Sequence, residues 1–244
     1  MTREVFGLGG VEYVNTFFKD KAGDQAYLAD LRRRAEDHGV RNLLIMIDGE
    51  GDMGDPDPNR LRATIENHRR WLEAARTLDC HCIRVNAQSS GTPAEQRERC
   101  IRGFEQLLPH AEALDVDVVI ENHGGLSSNG AWLADLVGSI GHPRLGTLPD
   151  FGNFVLDWST GARYDRYRSL EELLPFARAV SAKSHDFDDA GEEVHSDFGR
   201  IMDLVRDSGY RGWVGIEYEG ETLPERDGIL RTRSLLLRNG CRTT

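Results

Sequence analysis

The feature that most constrains the fold is a regular alternation of short β-rich runs with segments of helical periodicity. The starts of successive β-rich runs are 32, 39, 34, 29, 35 and 34 residues apart. The runs are Val11–Val14, Leu43–Asp48, Cys82–Asn86, Val116–Asn122, Leu145–Asp150, Val180–His185 and Val214–Tyr218. Such strands pair in parallel, because tight turns cannot connect parallel neighbours. The regular period predicts an α/β fold, a (β/α)8 TIM barrel forming one domain over residues 1–244.

The segments between the strands predict helices. These are Asp24–Asp37, Leu61–Leu78, Pro93–Leu114, Ala131–Ile140, Ser169–Ala177 and Phe198–Ser208. A closed barrel of this type has eight strands, whereas the sequence predicts seven. Arg3–Gly7 and the glycines after it are typical of a helix end and a turn, so the first βα unit is predicted to be missing. Either the N-terminus is truncated or the barrel is open by one unit, and a homodimer could then cover the gap.

Composition limits the partners that we expect. A net charge of −11, without a dense basic run, argues against nucleic acid. No run of about 18 apolar residues is present, and the first ten residues lack the apolar core of a secretory signal. We therefore expect a cytoplasmic protein with no membrane partner. The four cysteines, Cys80, Cys82, Cys100 and Cys241, are predicted to be reduced thiols.

Polar side chains follow the apolar strand runs, and the carboxyl ends of barrel strands meet at one mouth. Glu121, Asp150, His185 and Glu217 come from four consecutive predicted strands. Three carboxylates in one cavity repel each other unless a cation compensates them. Oxygen ligands with one imidazole suit Mn²⁺, Mg²⁺, Co²⁺ or Fe²⁺. They are less typical of a structural zinc site, which would use thiolates. The alternative is a salt-bridge network with bases such as Arg84 and Lys183.

At these residues the chain resembles the sugar phosphate isomerase/epimerase family, the xylose isomerase-like TIM barrels that also include endonuclease IV. The resemblance extends from Val11 over nearly the whole chain. It rests on the motifs VEYV (11–14), IRVNA (83–87), IENHGG (120–125), LPDFGN (148–153), SAKSHDF (181–187) and GIEYEG (215–220). Each motif is short, and their order at barrel spacing is what makes the set specific to the superfamily.

The resemblance implies a site. In ketose 3-epimerases of this family a Glu, an Asp, a His and a second Glu hold one metal, which places the ligands at Glu121, Asp150, His185 and Glu217. The two glutamates exchange the substrate proton in that family. We therefore expect one divalent ion, with Mn²⁺ first and Co²⁺, Mg²⁺, Fe²⁺ or Zn²⁺ as alternatives.

Two positions depart from the ketose 3-epimerase pattern, and this weakens the case for a ketohexose substrate. Asn153 stands where those enzymes have a substrate-binding His, and Gly191 stands where they have an Arg. The motifs ENHGGLSSNG, PDFGN and AKSHDFD look more like a second branch of the family. Relatives of that branch act on 3-keto-glycosides as β-eliminating lyases, including C-glycoside deglycosidases, or as hydratases of the resulting enones.

All these reactions move a proton on the carbon next to a carbonyl, and a metal and carboxylates can stabilise the resulting enediolate. We predict a metal-dependent sugar or keto-sugar isomerase or epimerase with Glu121 and Glu217 as acid and base. The runner-up is the lyase or hydratase. The residues expected to bind substrate are Arg84, Asn86, His123, Asn153, Lys183 and Glu219. His123 is equally well interpreted as a second base or as a hydrogen-bond partner of Glu121.

Two further functions remain as alternatives. An endonuclease IV-like enzyme needs a trinuclear zinc site and a basic groove, which the charge and the single clear His ligand disfavour. A non-catalytic barrel is compatible with the missing unit. The aromatic loop Trp158–Tyr167 could cover the mouth as a sugar-stacking lid, or its rings could be buried against the next helix or a partner.

Overall fold

The computed structural model describes residues 1–243, which fold into an α/β barrel. The strands are β1 Gly10–Val14, β2 Arg41–Met46, β3 Cys82–Val85, β4 Asp117–Glu121, β5 Leu145–Leu148, β6 Val155–Asp157, β7 Ala162–Arg163, β8 Val180–Ser184 and β9 Val214–Tyr218. The α-helices are α1 Gln25–Asp37, α2 Pro58–Leu78, α3 Pro93–Leu114, α4 Gly130–Ile140, α5 Arg166–Leu173, α6 Phe198–Asp207 and α7 Glu225–Arg238.

Seven of the strands run in parallel around the barrel. Strands β1 to β5 pair in sequence order, and β8 pairs with β9. Parallel bridges from Thr147 to Ala177 and from Asp150 to Ser181 connect β5 with β8. The described residues contain no pairing between β9 and β1, and residues 1–9 before β1 form no strand. The prediction of a TIM barrel with seven visible strands is therefore confirmed.

The strand predictions agree with the structure to within two residues, because apolar runs and polar ends delimit each strand. The helix starts reflect capping side chains. Asp57 accepts from the first backbone N–H groups of α2, and Thr92 forms a capping box with Glu95 at the start of α3. The predicted helix Ser169–Ala177 starts three residues too late. Helix α5 begins at Arg166, after the cap Asp165, and a 3₁₀ turn follows it.

Among the strands and α-helices, one hairpin and the last helix were not predicted. The antiparallel hairpin of β6 and β7 has strands of three and two residues, too short for a periodic pattern. Helix α7 begins without a side-chain cap, and its core-facing positions are few. Weak local signals therefore explain both omissions.

Side-chain alternation along the strands divides the core into two layers. Ile45, Ile83 and Ile120 point outward and pack against the helices. Leu44, Cys82 and Val119 belong to a smaller cluster, the packed floor of the barrel interior. Two positions beyond Cys82 and Val119, the same strand faces carry Arg84 and Glu121, which lie above this floor. Both charged side chains lie near the carboxyl ends of their strands, β3 and β4.

The cysteines agree with the expectation of reduced thiols. All four cysteines are free, and Cys80, Cys82 and Cys100 are buried. Over residues 1–243, none of the helices combines the length and the apolar character that crossing a membrane requires.

Candidate functional site

Three carboxylates meet above the floor of the barrel. Glu121 ends β4, Asp150 follows β5, and Glu217 lies near the end of β9. One carboxylate oxygen from each residue lies within 4.8 Å of the others. We call these three residues the acidic triad. Three strands deliver these carboxylates to one point, and His185, the fourth predicted ligand, is not among the residues that meet there.

Asp150 is the most rigidly held member of the triad. Its Oδ1 accepts backbone N–H bonds from Gly152 and Asn153, each of 2.8 Å. The Asn122 side chain accepts from the Asp150 N–H at 2.7 Å and donates to its carbonyl at 3.0 Å. Asp150 Oδ2 is buried and has no hydrogen-bond partner in residues 1–243. The loop therefore fixes one carboxylate oxygen and leaves the other available to a ligand.

Glu121 is held by a buried base. Arg84 Nε lies 2.9 Å from Glu121 Oε2, and Asn153 Nδ2 donates to Oε1 at 3.1 Å. Arg84 also pairs with Asp48 at 2.6 Å, and Asn86 donates to the same Asp48 oxygen at 2.9 Å. Arg84 and Glu121 are 3% and 1% exposed, so this ion pair is shielded from bulk water.

Glu217 is the accessible member of the triad, with a side chain that is 27% exposed. Ser181 donates its hydroxyl to Oε2 at 2.9 Å, and Lys183 Nζ lies 3.2 Å from Oε1. The same ammonium lies 3.1 Å from Glu219 and donates to Asn153 at 3.4 Å. Lys183 is therefore the cation at the centre of this half of the site.

Negative charge exceeds positive charge in the barrel interior. The acids are Glu12, Asp48, Glu121, Asp150, Glu217 and Glu219, and the buried bases are Arg84 and Lys183. Burial, with a further contribution from Glu217, raises the pKa of Asp150 to about 7. Burial likewise raises the pKa of Glu121 well above its ordinary value, although Arg84 opposes the shift. Without a further cation, the site therefore retains protons near neutral pH.

The triad meets the first requirements of a divalent cation site. It offers oxygen donors, an excess of negative charge, and the buried Asp150 oxygen that has no hydrogen-bond partner. Hard divalent ions prefer such oxygen ligands. Arg84 and Lys183 also pair with the same acids, so elements of the predicted metal site and of the alternative salt-bridge network coexist.

The two predicted histidines lie outside the triad. His185 is 35% exposed at its side chain, and its Nε2 lies 4.0 Å from Glu219 Oε2. His185 is not among the residues that bring a ligand atom into the triad. Lys183, two residues earlier on the same strand face, occupies the position beside Glu217 instead. His123 is exposed at the mouth.

Sequence reasoning missed three polar groups in the barrel interior. Asp48 was recognised at a strand end but was not assigned to the site. Ser181 and Glu12 were not considered, although alternation gives a signal for both. Ser181 shares a strand face with Lys183, and Glu12 lies two residues before Val14, which packs on the barrel floor.

The aromatic loop lies beside the mouth. Trp158 is 77% exposed, and its indole lies against Gly124, where an added Cβ would come 3.5 Å from Nε1. Tyr164 donates its hydroxyl to Glu172 at 3.0 Å, and the Tyr167 hydroxyl accepts from the Asp197 N–H at 3.2 Å. The tyrosines thus anchor the loop, while the Trp158 ring is exposed at the rim of the barrel mouth.

Comparisons with known proteins agree with this architecture. The family model described as "Xylose isomerase-like TIM barrel" matches residues 4–239. The 3'-dehydrocarminate deglycosidase alpha subunit of Microbacterium sp is 23% identical over 266 aligned positions, covering 80% of this chain and 73% of the relative.

Two solved structures share the fold. A 3-keto-D-glucoside 4-epimerase from E. coli superposes with a TM-score of 0.65 at 16% identity, covering 90% of this chain and 92% of the other. The IolI protein, solved with a bound zinc atom, gives a TM-score of 0.74 at 13% identity, covering 95% and 87%.

Proposed function

Because the chain belongs to the xylose isomerase-like TIM barrel family, we propose that it is an enzyme that moves a proton on the carbon next to a carbonyl of a sugar or keto-sugar. The observation that carries this proposal is the acidic triad at the barrel mouth. It joins a partly accessible carboxylate, Glu217, to the buried pair Glu121 and Asp150.

Glu217 is the proposed base. Its side chain is 27% exposed against 1% for Glu121, so a substrate in the mouth meets Glu217 first. Lys183 and Ser181 hold its two oxygens and fix the direction from which it approaches carbon. Glu121 is the proposed partner acid, because burial raises the pKa of its carboxyl well above the ordinary value although Arg84 opposes the shift.

The substrate oxygens need donors. Lys183 carries an ammonium beside the base, and the charges of Asp150, Glu217 and Glu121 raise its pKa although burial opposes this. Lys183 is therefore protonated and can donate to a substrate oxygen. We assign Arg84, Asn86, Asn153 and Glu219 to orienting the sugar hydroxyls, and the exposed His123 to the outer part of the substrate.

Glu121, Asp150 and Glu217 are the residues that would hold a divalent cation. When bound there, such an ion would neutralise negative charge that develops on the substrate oxygen in the enediolate. Mn²⁺ is our first choice among the candidates, with Co²⁺, Mg²⁺, Fe²⁺ and Zn²⁺ behind it. His185 as a fourth donor stays a prediction, which a His185→Asn variant tests through its effect on metal affinity.

A second candidate reaction is cleavage of a 3-keto-glycoside or hydration of the resulting enone. It is supported by the deglycosidase relative and by the keto-glucoside epimerase that shares the fold. In the cleavage, the same proton removal would be followed by loss of the aglycone, which leaves with the bonding electrons and gives an enone. Hydration would add water across that enone. The two functions therefore share Glu217 and differ in what leaves the substrate.

The test is to incubate the protein in D₂O with each candidate metal and a panel of keto-hexoses and 3-keto-glucosides. Proton NMR follows deuterium incorporation next to the carbonyl, and chromatography follows release of aglycone. The proposal predicts exchange that Glu217→Gln abolishes and that the exposed-surface variant Glu221→Gln retains. Deuterium in an intact skeleton favours isomerisation or epimerisation, and aglycone release favours the lyase. Equal exchange rates in wild type and Glu217→Gln would contradict the proposed base.

A further inference from the structure

The triad carboxylate of Glu217 already has a cation beside it. Lys183 Nζ lies 3.2 Å from Glu217 Oε1, and the Ser181 hydroxyl donates to Oε2 at 2.9 Å. A divalent ion held by the triad would share Glu217 with this ammonium group. Two cations on one carboxylate repel each other, and the repulsion is stronger where little water screens it. Lys183 therefore competes with such an ion unless its ammonium group moves away from Glu217.

The surroundings of Lys183 restrict where its ammonium group can go. The Lys183 side chain is 3% exposed. Its aliphatic stem lies against the backbone of Gly152, where an added Cβ would come 2.8 Å from Lys183 Cδ and 2.9 Å from Cγ. This packing leaves only the ammonium end room to shift. A buried ammonium group that leaves one carboxylate needs another acceptor, because an unpaired buried charge is costly.

Glu219 offers that acceptor. Its Oε2 lies 3.1 Å from Lys183 Nζ, so the ammonium group stands between two carboxylates at nearly equal distances. Over residues 1–243, the ion pairs of Glu219 are with Lys183 and, at 4.0 Å, with His185 Nε2. Asn153 Oδ1 also accepts from Lys183 at 3.4 Å, but it carries no charge. Glu219 can therefore keep the ammonium group paired when Glu217 is engaged elsewhere.

The two carboxylates differ in what else they can contact. Glu217 brings an oxygen into the acidic triad, and Glu219 does not. The register of β8 and β9 places Lys183 directly opposite Glu217, and Glu219 follows two residues later on the same face. Glu219 is also the more exposed acid, with a side chain that is 51% exposed. A small shift of the ammonium group along this face would thus transfer it from the triad to the rim.

We infer that Glu219 is a positioning residue for the cation site, one that draws the Lys183 ammonium group off Glu217 and so lets a divalent ion use that carboxylate. The inference rests on the proposed function, because it requires a cation at the acidic triad. It gives Glu219 a role that needs no contact with substrate. Removing the Glu219 carboxylate should weaken metal binding only while Lys183 is present.

The experiment is a double-mutant cycle on metal affinity. The full chain is treated with chelator, desalted and titrated with Mn²⁺ in a calorimeter at one pH and one ionic strength. We expect Glu219→Gln to weaken Mn²⁺ binding about five- to twentyfold and Lys183→Met to tighten it about tenfold. In the Lys183→Met background, Glu219→Gln should change the affinity by less than about twofold.

Three further variants control the cycle. Glu221→Gln removes the same charge from a nearby exposed side chain, and it should change the affinity by less than about twofold in both backgrounds. Glu219→Asp keeps a carboxylate beside Lys183 and should retain most of the wild-type affinity. If circular dichroism shows that Lys183→Met does not fold, Lys183→Gln takes its place in the cycle.

The possible outcomes separate this inference from the proposed function. Equal weakening by Glu219→Gln in both backgrounds would overturn the inference, because Glu219 would then act on the ion directly through its charge. An unchanged or weaker affinity in Lys183→Met would also overturn it, since the ammonium group would not compete. Both results leave the proposed cation site intact. A wild-type chain that does not bind Mn²⁺ would instead overturn the cation site and the inference together.

Discussion

The two flanks of the barrel differ in how completely they are packed. On the closed flank, β3, β5 and β8 are buried throughout, and each of them pairs with a neighbour on both sides. On the seam flank, β1 and β9 are partly exposed and pair on one side. The acidic triad spans this boundary, because Glu121 and Asp150 come from the closed flank and Glu217 from β9. The rigid flank thus supplies the buried acids, and the open flank supplies the accessible base.

The largest expected effect comes from removing that base. Glu217→Gln should lower the turnover of the true substrate by about 10²- to 10⁴-fold, the usual contribution of a positioned general base. Steady-state kinetics measure it, with Glu221→Gln on the nearby exposed loop as the control. If Glu217→Gln retained more than half of the turnover, the seam flank would carry no catalytic role.

The second largest effect is expected from Lys183, whose ammonium group lies between the two flanks. Lys183→Met leaves Glu217 and Glu219 without their ammonium partner, and removing one member of a buried pair destabilises a protein by about 3–5 kcal/mol. Because Glu217 is partly exposed, we expect the free energy of unfolding to fall by the lower end of this range, about 3 kcal/mol. Urea denaturation of chelator-treated protein measures it. The exposed Lys19→Met is the control. A loss below about 1 kcal/mol would indicate that water, rather than Lys183, compensates these acids.

The third effect is a pH dependence of the seam flank. Burial raises the pKa of Glu12 from an ordinary 4.5 to about 8, so the folded chain holds a proton that the unfolded chain releases between these values. The free energy of unfolding therefore falls as pH rises through this window, by at most about 1.4 kcal/mol per pH unit from this group. Every residue of β1 is partly exposed, so water beside Glu12 reduces that slope.

Glu12→Gln should flatten this dependence, and it should be more stable than wild type at pH 8. Thermal and urea unfolding at pH 5, 6.5 and 8 provide the comparison, and Glu98→Gln should keep the wild-type slope. Parallel pH curves for wild type and Glu12→Gln would mean that Glu12 is already ionised and solvated in the folded chain.

The smallest expected effect lies at the rim. Trp158 is 77% exposed beside Gly124, and stacking of its ring on a sugar would contribute about 1 kcal/mol. Trp158→Ala should raise KM about three- to tenfold and change kcat less than twofold. Tyr164→Phe, which removes the hydroxyl bonded to Glu172, serves as the comparison for loop anchoring. An unchanged KM would show that the loop does not contact substrate.

The sequence predicted the closed flank better than the site that it supports. Runs such as Val116–Asn122 specify a strand, its buried faces and its polar end by local pattern alone. The neighbours of Glu217 were harder to predict, because Ser181 and Lys183 reach it from another strand through register. Alternation placed Lys183 and His185 on one face, but distance from the triad depends on barrel curvature. The depth of Glu12 depends on the missing neighbour of β1, which no local pattern specifies.

The most direct test of the account is the metal stoichiometry of the acidic triad. Purified protein is dialysed against Mn²⁺, desalted and analysed for Mn, Co, Fe and Zn, with an Asp150→Asn, Glu217→Gln double variant in parallel. The account predicts close to one metal ion per chain in wild type and almost none in the variant. Equal metal content in both, or none in either, would contradict a cation site at the triad and identify the acids as a structural network with Arg84 and Lys183.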